Sequence, residues 1–372
     1  MHFSTLAVHA GHRLDPSGAV APPIYLSTTY ARDPQGVPLG GHTYIRESNP
    51  TQEQLEEALA PLEGGEIALV FGSGVAAGVA LLQSLPPGAH VVFPDDAYYG
   101  FHRVAREVLP NWGIAATFVD MADPSALAAA LRPETRVAWL ETPSNPLLRI
   151  TDLAAAVALA RRAGALTVVD NTFATPALQR PIALGADVVL HSSTKYLGGH
   201  SDVQGGALIF AKQGELSERI GHLRHVLGPV ASPFNSWLVL RGIRTLACRI
   251  VAQSATAAAV AQALAAMPAV SAVHYPGLPS HPGHEVATRQ MSAFGAMLSF
   301  RVAAGREAAV AAVGKARLFT RATSLGGVES LIEHRASSEG PDSKAPQELI
   351  RLSIGLEHAD DLVADLEQAL AL

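Results

Sequence analysis

The sequence predicts an α/β protein: a mostly parallel sheet domain followed by a smaller C-terminal α+β domain. Three observations predict it. Short apolar runs alternate with helix-period segments between residues 66 and 211. Glycine, proline and small polar clusters punctuate them. From about residue 230 the alternation gives way to long helices and a few separated strands. The 372 residues are 48% apolar, enough for two cores of ordinary size.

The elements follow in order. Residues 1–50 are rich in Pro, Gly and Ser and show little periodicity, so they read as an extended arm of the kind that covers a neighbouring subunit. "PTQEQLEEALAPLEGG" (50–65) is a helix with proline at its start and glycine at its stop. "EIALVF" then leads into "GSGVAAGVALLQSL", "AHVVFPDD" into "GFHRVAREVLPNWG", and "TRVAWLETPSNP" into "ITDLAAAVALARRAG". "ALTVVDNTF", "ADVVLHSS" and "GGALIFA" complete an α/β domain over 51–230. The domain 231–372 opens with one long Ala-rich helix (about 235–266). "AVSAVHYPG", "AMLSFRV", a helix near 305–314, "LFTRATSL", "LIRLSIG" and a closing helix "HADDLVADLEQALAL" follow.

Composition excludes several classes. A formal charge of −6 argues against a nucleic-acid partner. Cys248 is the single cysteine, so neither a disulfide framework nor a thiolate metal cluster is available. The first residues lack the basic-then-apolar pattern of a secretory leader, and no apolar run reaches membrane-spanning length. A cytoplasmic protein is expected, with no membrane partner. His281 and His284 have a spacing that suggests a metal, but no Asp or Cys completes a set, so no metal site is expected.

Gly72, Ser73 and Gly74 follow a strand and open an apolar helix. Such a turn aims backbone N–H groups at an anion. It also satisfies G-x-G-x-x-G/A, with Asp95 and Asp96 about 20 residues on, so a nicotinamide-dependent oxidoreductase is one reading. A turn that merely packs helix on strand is another. "HSSTKYLGGHSD" (191–202) favours a third. Only four lysines occur, and Lys195 is the sole one before residue 212. It follows a buried strand and stands among hydroxyls and glycines. A lysine amine condenses with an aldehyde, and pyridoxal phosphate is the usual one. That cofactor needs a carboxylate for its ring nitrogen, which Asp170 at the end of "ALTVVD" supplies. It needs phosphate ligands: the glycine loop and the hydroxyls of Ser192 and Thr194. It needs an aromatic face: Tyr98 or Tyr99 of "DDAYYGFHR". Continued strand alternation would point Ser192, Thr194 and Lys195 to one side. His191 and His200 read as structural.

Seven ordered segments carry a resemblance: "YIRESNPT", "FGSGVAAG", "ETPSNPLLRI", "VVDNTFATP", "HSSTKYLGGHSD", "SLGGVESLI" and "LIRLSIGLE". They resemble the Cys/Met-metabolism pyridoxal-phosphate enzymes, the transsulfuration group, from Phe3 to the last helix. The resemblance implies the aspartate aminotransferase-like fold (fold type I) and a homotetramer of two tight dimers with a shared active site. Lys195 would hold the cofactor and then move the substrate's protons, with Tyr98 as partner. Asp170 would pair the ring nitrogen. Tyr44 and Arg46 would reach the phosphate of the adjacent subunit. The pattern D-x-Y-G-G-x-x-R selects Tyr98 for stacking and sets Arg103 near the substrate, with Tyr99 where a glycine is usual. Asn145 would lie near cofactor and substrate, and Arg351 would clamp the substrate carboxylate.

The implied substrate is a small sulfur amino acid. Ser324, Leu325 and Glu329 of "SLGGVESLI" resemble the cystathionine γ-synthase and γ-lyase members, with Glu329 reaching the distal amino group of cystathionine. The β-lyases carry Trp at the position of Leu325, and the methionine γ-lyases carry Cys where this chain continues from Gly100 without one. The chain departs from the family at "RASSEGPDSKAPQE" (335–348), polar where an apolar segment is usual. Arg335 or Lys344 there would meet an anionic group such as a succinyl moiety.

Overall fold

Seven strands form the large sheet: β1 (Ile67–Phe71), β2 (His90–Pro94), β3 (Ala115–Val119), β4 (Thr135–Glu141), β5 (Leu166–Asp170), β6 (Val188–His191) and β7 (Gly206–Phe210). Their order is β1-β7-β6-β5-β4-β2-β3, and only β7 runs against the rest. The computed structural model describes residues 1–340 and 343–371. Pro341 and Asp342 of the polar 335–348 segment, and Leu372 of the closing helix, lie outside the described residues.

The sheet is parallel because its strands are apolar on both faces. Val91 and Phe93 pack on one side with Phe101 and Trp139, while Val92 packs on the other with Leu140, Leu153 and Val169. Period-2 alternation sends neighbours along one strand to opposite cores, and helices cover both. That two-sided burial is what the unbroken apolar runs encode.

A second sheet has the order β10-β11-β12-β9-β8: β8 (Val270–His274), β9 (Met297–Val302), β10 (Thr320–Arg321), β11 (Leu331–His334) and β12 (Leu349–Ser353). Three of its four pairings are antiparallel. The arm contributes a helix, Phe3–His9, and then runs to residue 49 without further helices.

Several elements differ from the sequence reading. The edge strand β3 was not expected, since "AATFV" has few bulky apolar residues; nor was β11, nor the helices Pro124–Ala130 and Glu215–Leu227. "LFTRATSL" pairs only at two residues, because Thr323, Ser324 and Leu325 leave the sheet for the cavity. The 235–266 helix is two, Pro233–Ile243 and Leu246–Ala266. At the break a Cβ on Gly242 would stand 2.2 Å from Gly198 O, so the first helix abuts the Lys195 turn and Arg249 crosses behind it, donating to Gly242 O at 2.8 Å.

Candidate active site

Five strands of the large sheet end along one edge and send side chains into one cavity of about 580 Å³. Ser73 follows β1, Tyr98 follows β2, Glu141 and Asn145 come from β4, Asp170 from β5, and Ser192, Thr194 and Lys195 from β6. Open α/β sheets bind ligands in this position. Ser324 and Leu325 of the loop between β10 and β11 line the facing wall, with Arg351 of β12 and the short helix Arg335–Glu339.

β6 stops at His191, and the chain then turns rather than continuing as a strand: Lys195 N–H donates to Ser192 O at 3.1 Å. Ser192, Thr194 and Lys195 reach the cavity through this turn, not through strand alternation. The Lys195 Nζ donates to Ser324 Oγ at 2.6 Å. Ser324 holds φ +83°, a left-handed conformation costly for a residue with a Cβ. Gly326 follows at φ +82°, and a Cβ there would stand 2.7 Å from Tyr196 N. The "SLGG" segment is therefore pressed onto the lysine turn. Burial pushes the Lys195 amine down to about 8, with the charges of Arg351 and Arg335 adding to it.

The glycine loop works differently from its sequence reading. Gly72 N–H donates to Pro229 O at 3.0 Å, so it has no donor left for an anion and does not line the cavity. Ser73 caps the helix Gly74–Gln83, its Oγ accepting from Ala76 N at 3.1 Å. Gly74 and Val75 are left as first-turn amides, with no carbonyl one turn back to accept from them. A Cβ on Gly74 would stand 2.9 Å from Ser192 Cα. Glycine there lets the helix N-terminus and Ser192 meet. Thr194 Oγ1 is engaged with Gly205, accepting from its N at 3.1 Å and donating to its O at 3.2 Å.

Asp170 and Glu141 stand side by side in register on β5 and β4. The sequence reading missed Glu141; its signal was a second carboxylate closing a buried strand. Both carboxyls are pushed above their ordinary range, Glu141 by burial and the charge of Asp170, Asp170 by burial against the opposing hydrogen bonds of Thr172, whose amide donates at 3.0 Å. Glu141 also accepts from Tyr98 N at 2.8 Å, which fixes the start of the tyrosine loop. Tyr98 and Tyr99 both line the cavity.

Arg351 is 3% exposed, and its Nη1 donates to Asn145 Oδ1 at 2.9 Å and its Nη2 to Ser324 O at 3.0 Å. Ser299 Oγ, opposite Arg351 on β9, donates to Pro146 O at 2.7 Å and pins the "PSNP" turn beside it. Glu333, also unforeseen, lies 2.6 Å from Arg351 and 3.2 Å from Arg335.

Other candidates stand elsewhere. Arg103 was expected at the substrate, but it is exposed and paired with Glu107 at 2.9 Å, because the helix Tyr99–Arg103 turns that face to solvent. Glu329 does not line the cavity; its carboxylate accepts from Ser201 Oγ. Tyr44 and Arg46 lie on the arm, away from this chain's cavity, with Arg46 donating to His225 O at 2.7 Å. Lys344 is exposed and also outside it. His191 is buried against Glu63 at 2.5 Å, behind Asp170.

A half-buried amine of lowered pKa, a pair of buried carboxyls, two tyrosines and a helix N-terminus beside a serine converge on one cavity. This donor set fits pyridoxal phosphate: Lys195 for its aldehyde, Asp170 for its ring nitrogen, and Gly74, Val75 and Ser192 for its phosphate. The acidic pair that a dinucleotide ribose would need is tied up instead, Asp95 to Arg149 at 3.0 Å and Asp96 to Ser144. Fold and site together define a pyridoxal-phosphate-dependent enzyme.

Comparison with known proteins agrees. The chain belongs to the Cys/Met metabolism PLP-dependent enzyme family, whose model matches residues 4–371. This overturns the nicotinamide reading. A cystathionine gamma-synthase of Mycobacterium tuberculosis is 52% identical over 99% of this chain and 96% of its own. A cystathionine beta-lyase of Lactococcus lactis is 47% identical over 99% and 98%. The crystal structure of metB from Corynebacterium glutamicum superposes with a TM-score of 0.97 at 44% identity, covering 100% of this chain and 98% of that one.

Proposed function

We propose that the protein makes or breaks C–S bonds at Cγ of homocysteine-type amino acids, by α,γ-elimination or γ-replacement, as a cystathionine γ-lyase or γ-synthase. The observation that carries this is the shared hydrogen bonding of Lys195, Ser324, Arg351 and Asn145, which sets a proton-moving amine beside a carboxylate clamp. Pyridoxal phosphate, when bound, supplies an electron sink for the charge left at Cα. The residues do the rest. Arg351 and Asn145 hold the substrate carboxylate, which fixes Cα relative to the lysine. The Lys195 Nζ would take the α-proton and move protons at Cβ; its lowered pKa keeps part of it neutral for that task. Ser324 Oγ steadies Nζ between steps. Asp170 would pair with the cofactor's ring nitrogen and keep it protonated, with Glu141 beside it in register on β4. The Tyr98 hydroxyl is the partner acid for the departing sulfur.

We further propose a cytoplasmic homotetramer of two tight dimers. Its units are an arm (1–50), a cofactor-binding domain (51–230) and a C-terminal domain (231–372). Exposed apolar residues on the arm support this: Leu14, Val20 and Leu39 are 92%, 81% and 71% exposed in the single chain. Tyr44 and Arg46 of one subunit would then complete the site of its neighbour. No helix among the described residues is long and apolar enough to cross a membrane.

The test is to incubate the yellow holoenzyme with cystathionine, and separately with cysteine plus an O-acylated homoserine. α-Ketobutyrate from cystathionine marks the lyase, and cystathionine from the pair marks the synthase. The similarity to a cystathionine beta-lyase keeps that activity as a second reading, and pyruvate with homocysteine as products would establish it.

A further inference from the structure

Glu63 has no part in the reaction as described, and it stands where a carboxylate is least stable. It is the last residue of the helix Pro50–Glu63, fully buried, at the negative end of the helix dipole. No basic residue lies in the last turn of that helix. A charge so placed needs a tertiary partner. The partners come from the ends of two strands. His191, the last residue of β6, sets its Nε2 2.5 Å from Glu63 Oε1, and Asn171 Nδ2 donates to the same oxygen at 2.8 Å. The Asn171 amide has one orientation, because Nδ2 also donates to Gln179 O at 2.9 Å and Oδ1 accepts from Gln179 Nε2 at 3.0 Å. Glu63 Oε1 is thus an acceptor for Asn171, and a charge-assisted bond from an imidazolium completes it. Asn171 and His191 are as deeply buried as Glu63, so bulk water screens the pair little.

The location of the pair connects it to the cofactor site. Asp170 and Leu190 are partners in register on β5 and β6, and both line the cavity. Asn171 and His191 come next along the two strands. Alternation turns them to the opposite face, where both meet Glu63. The charged pair therefore lies across the sheet edge from the Asp170 carboxyl. At Asp170 burial favours the neutral acid, and the hydrogen bonds of Thr172 and then the charge of His191 oppose it. The other titratable groups at this edge are Glu141 from β4 and Lys195 after β6. The neighbouring β7 and the helix Thr175–Leu178 carry none.

We infer that Glu63 and His191 are positioning residues that act through Asp170: Glu63 holds His191 as an imidazolium, and that cation keeps Asp170 ionised for the ring nitrogen of pyridoxal phosphate. The inference rests on the cofactor and not on which substrate is turned over.

The test reads cofactor affinity rather than turnover. Holoenzyme of the wild type, E63Q, H191Q, D170N and E63Q/D170N is dialysed to equilibrium against graded free pyridoxal phosphate from acidic to neutral pH. Bound cofactor is read from the yellow absorbance. Glu63→Gln keeps an acceptor for Asn171 and removes the charge. Its Kd relative to the wild type rises about tenfold on the acidic side and converges on the wild-type value as pH rises, as an Asp170 pKa about one unit higher requires. H191Q shows the same pattern. In the D170N background E63Q adds no further loss. A Kd ratio for E63Q that is the same at every pH overturns the inference, as does an equal added loss on top of D170N, since Glu63 would then act on the fold and not on Asp170. If E63Q does not fold, H191Q decides on the same pH pattern. A neutron crystal structure of the wild-type holoenzyme needs no variant: protons on both His191 ring nitrogens and none on Glu63 are expected, and a neutral imidazole overturns the pair.

Discussion

Glu333 on β11 and Arg351 on β12 are directly opposite in register, and their side chains meet at 2.6 Å with both groups at least 95% buried. The pair explains how a guanidinium can wait in a closed pocket for a carboxylate. Glu333 compensates its charge, and Asn145 and Ser324 fix its plane.

Arg351→Lys keeps the charge and loses the fork. Lysine offers a point charge that cannot bridge Asn145, Ser324 and a substrate at once. The expected outcome is a fall of about a hundredfold in kcat/KM, mostly in KM, and a loss of about 1–3 kcal/mol in stability from under-satisfied buried partners. Steady-state kinetics and urea denaturation check both.

Lys195 titrates well below the ordinary lysine value of 10.5, at about 8. In the cofactor-free chain its alkylation rate rises with pH to a plateau with a midpoint near 8, read by mass spectrometry of the Lys195 peptide. Glu333 acts in the opposite sense to the arginines, so Glu333→Gln moves the midpoint lower still. A midpoint near 10.5 would refute the desolvated amine. Lys195→Ala abolishes borohydride-fixed adduct on that peptide and lowers turnover by a factor on the order of 10² to 10⁴ or more.

Glu141 gives stability a pH dependence of known sign. Its folded pKa is raised above 4.5, so between 4.5 and the raised value the folded chain holds a proton that the unfolded chain has released. Stability therefore falls as pH rises through that interval. Glu141→Gln mimics the neutral acid and still accepts from Tyr98 N. Denaturation midpoints of the variant show a shallower slope than those of the wild type, the remainder coming from Asp96, raised to about 6, and Asp170.

Gly326→Ala adds a Cβ at φ +82° and 2.7 Å from Tyr196 N. The segment has to move off the lysine turn, which carries Ser324 Oγ away from Nζ. The expected cost is roughly 1–3 kcal/mol in thermal or urea unfolding. Turnover falls more than the folded fraction does, which separates the site effect from instability.

Much of the fold was legible because it is written in local patterns. Runs such as "AHVVFP" and "ALTVVD" are apolar on both strand faces, which only a covered parallel sheet accommodates. Lys195 and Asp170 stood out because a charge at the end of such a run needs a reason. The missed elements lack that contrast. β3 is an edge strand of small residues, and β11 is four residues long. Gly72 was misassigned for a different reason: a spacing motif says which residues can turn, not which amide a distant carbonyl such as that of Pro229 will occupy.

The sequence alone determined the family and singled out Lys195 and Asp170 as candidates, since those depend on residue type and order along strands and turns. Only the tertiary structure decided how charges are paired. Glu141 beside Asp170, Glu333 against Arg351 and Arg335 beside Glu339 join strands or wall segments whose pairing no local pattern specifies. Electrostatic energy in a desolvated site depends on distances of a few ångströms. Those distances are set by sheet register and packing, so the sequence could name the charges but not their partners.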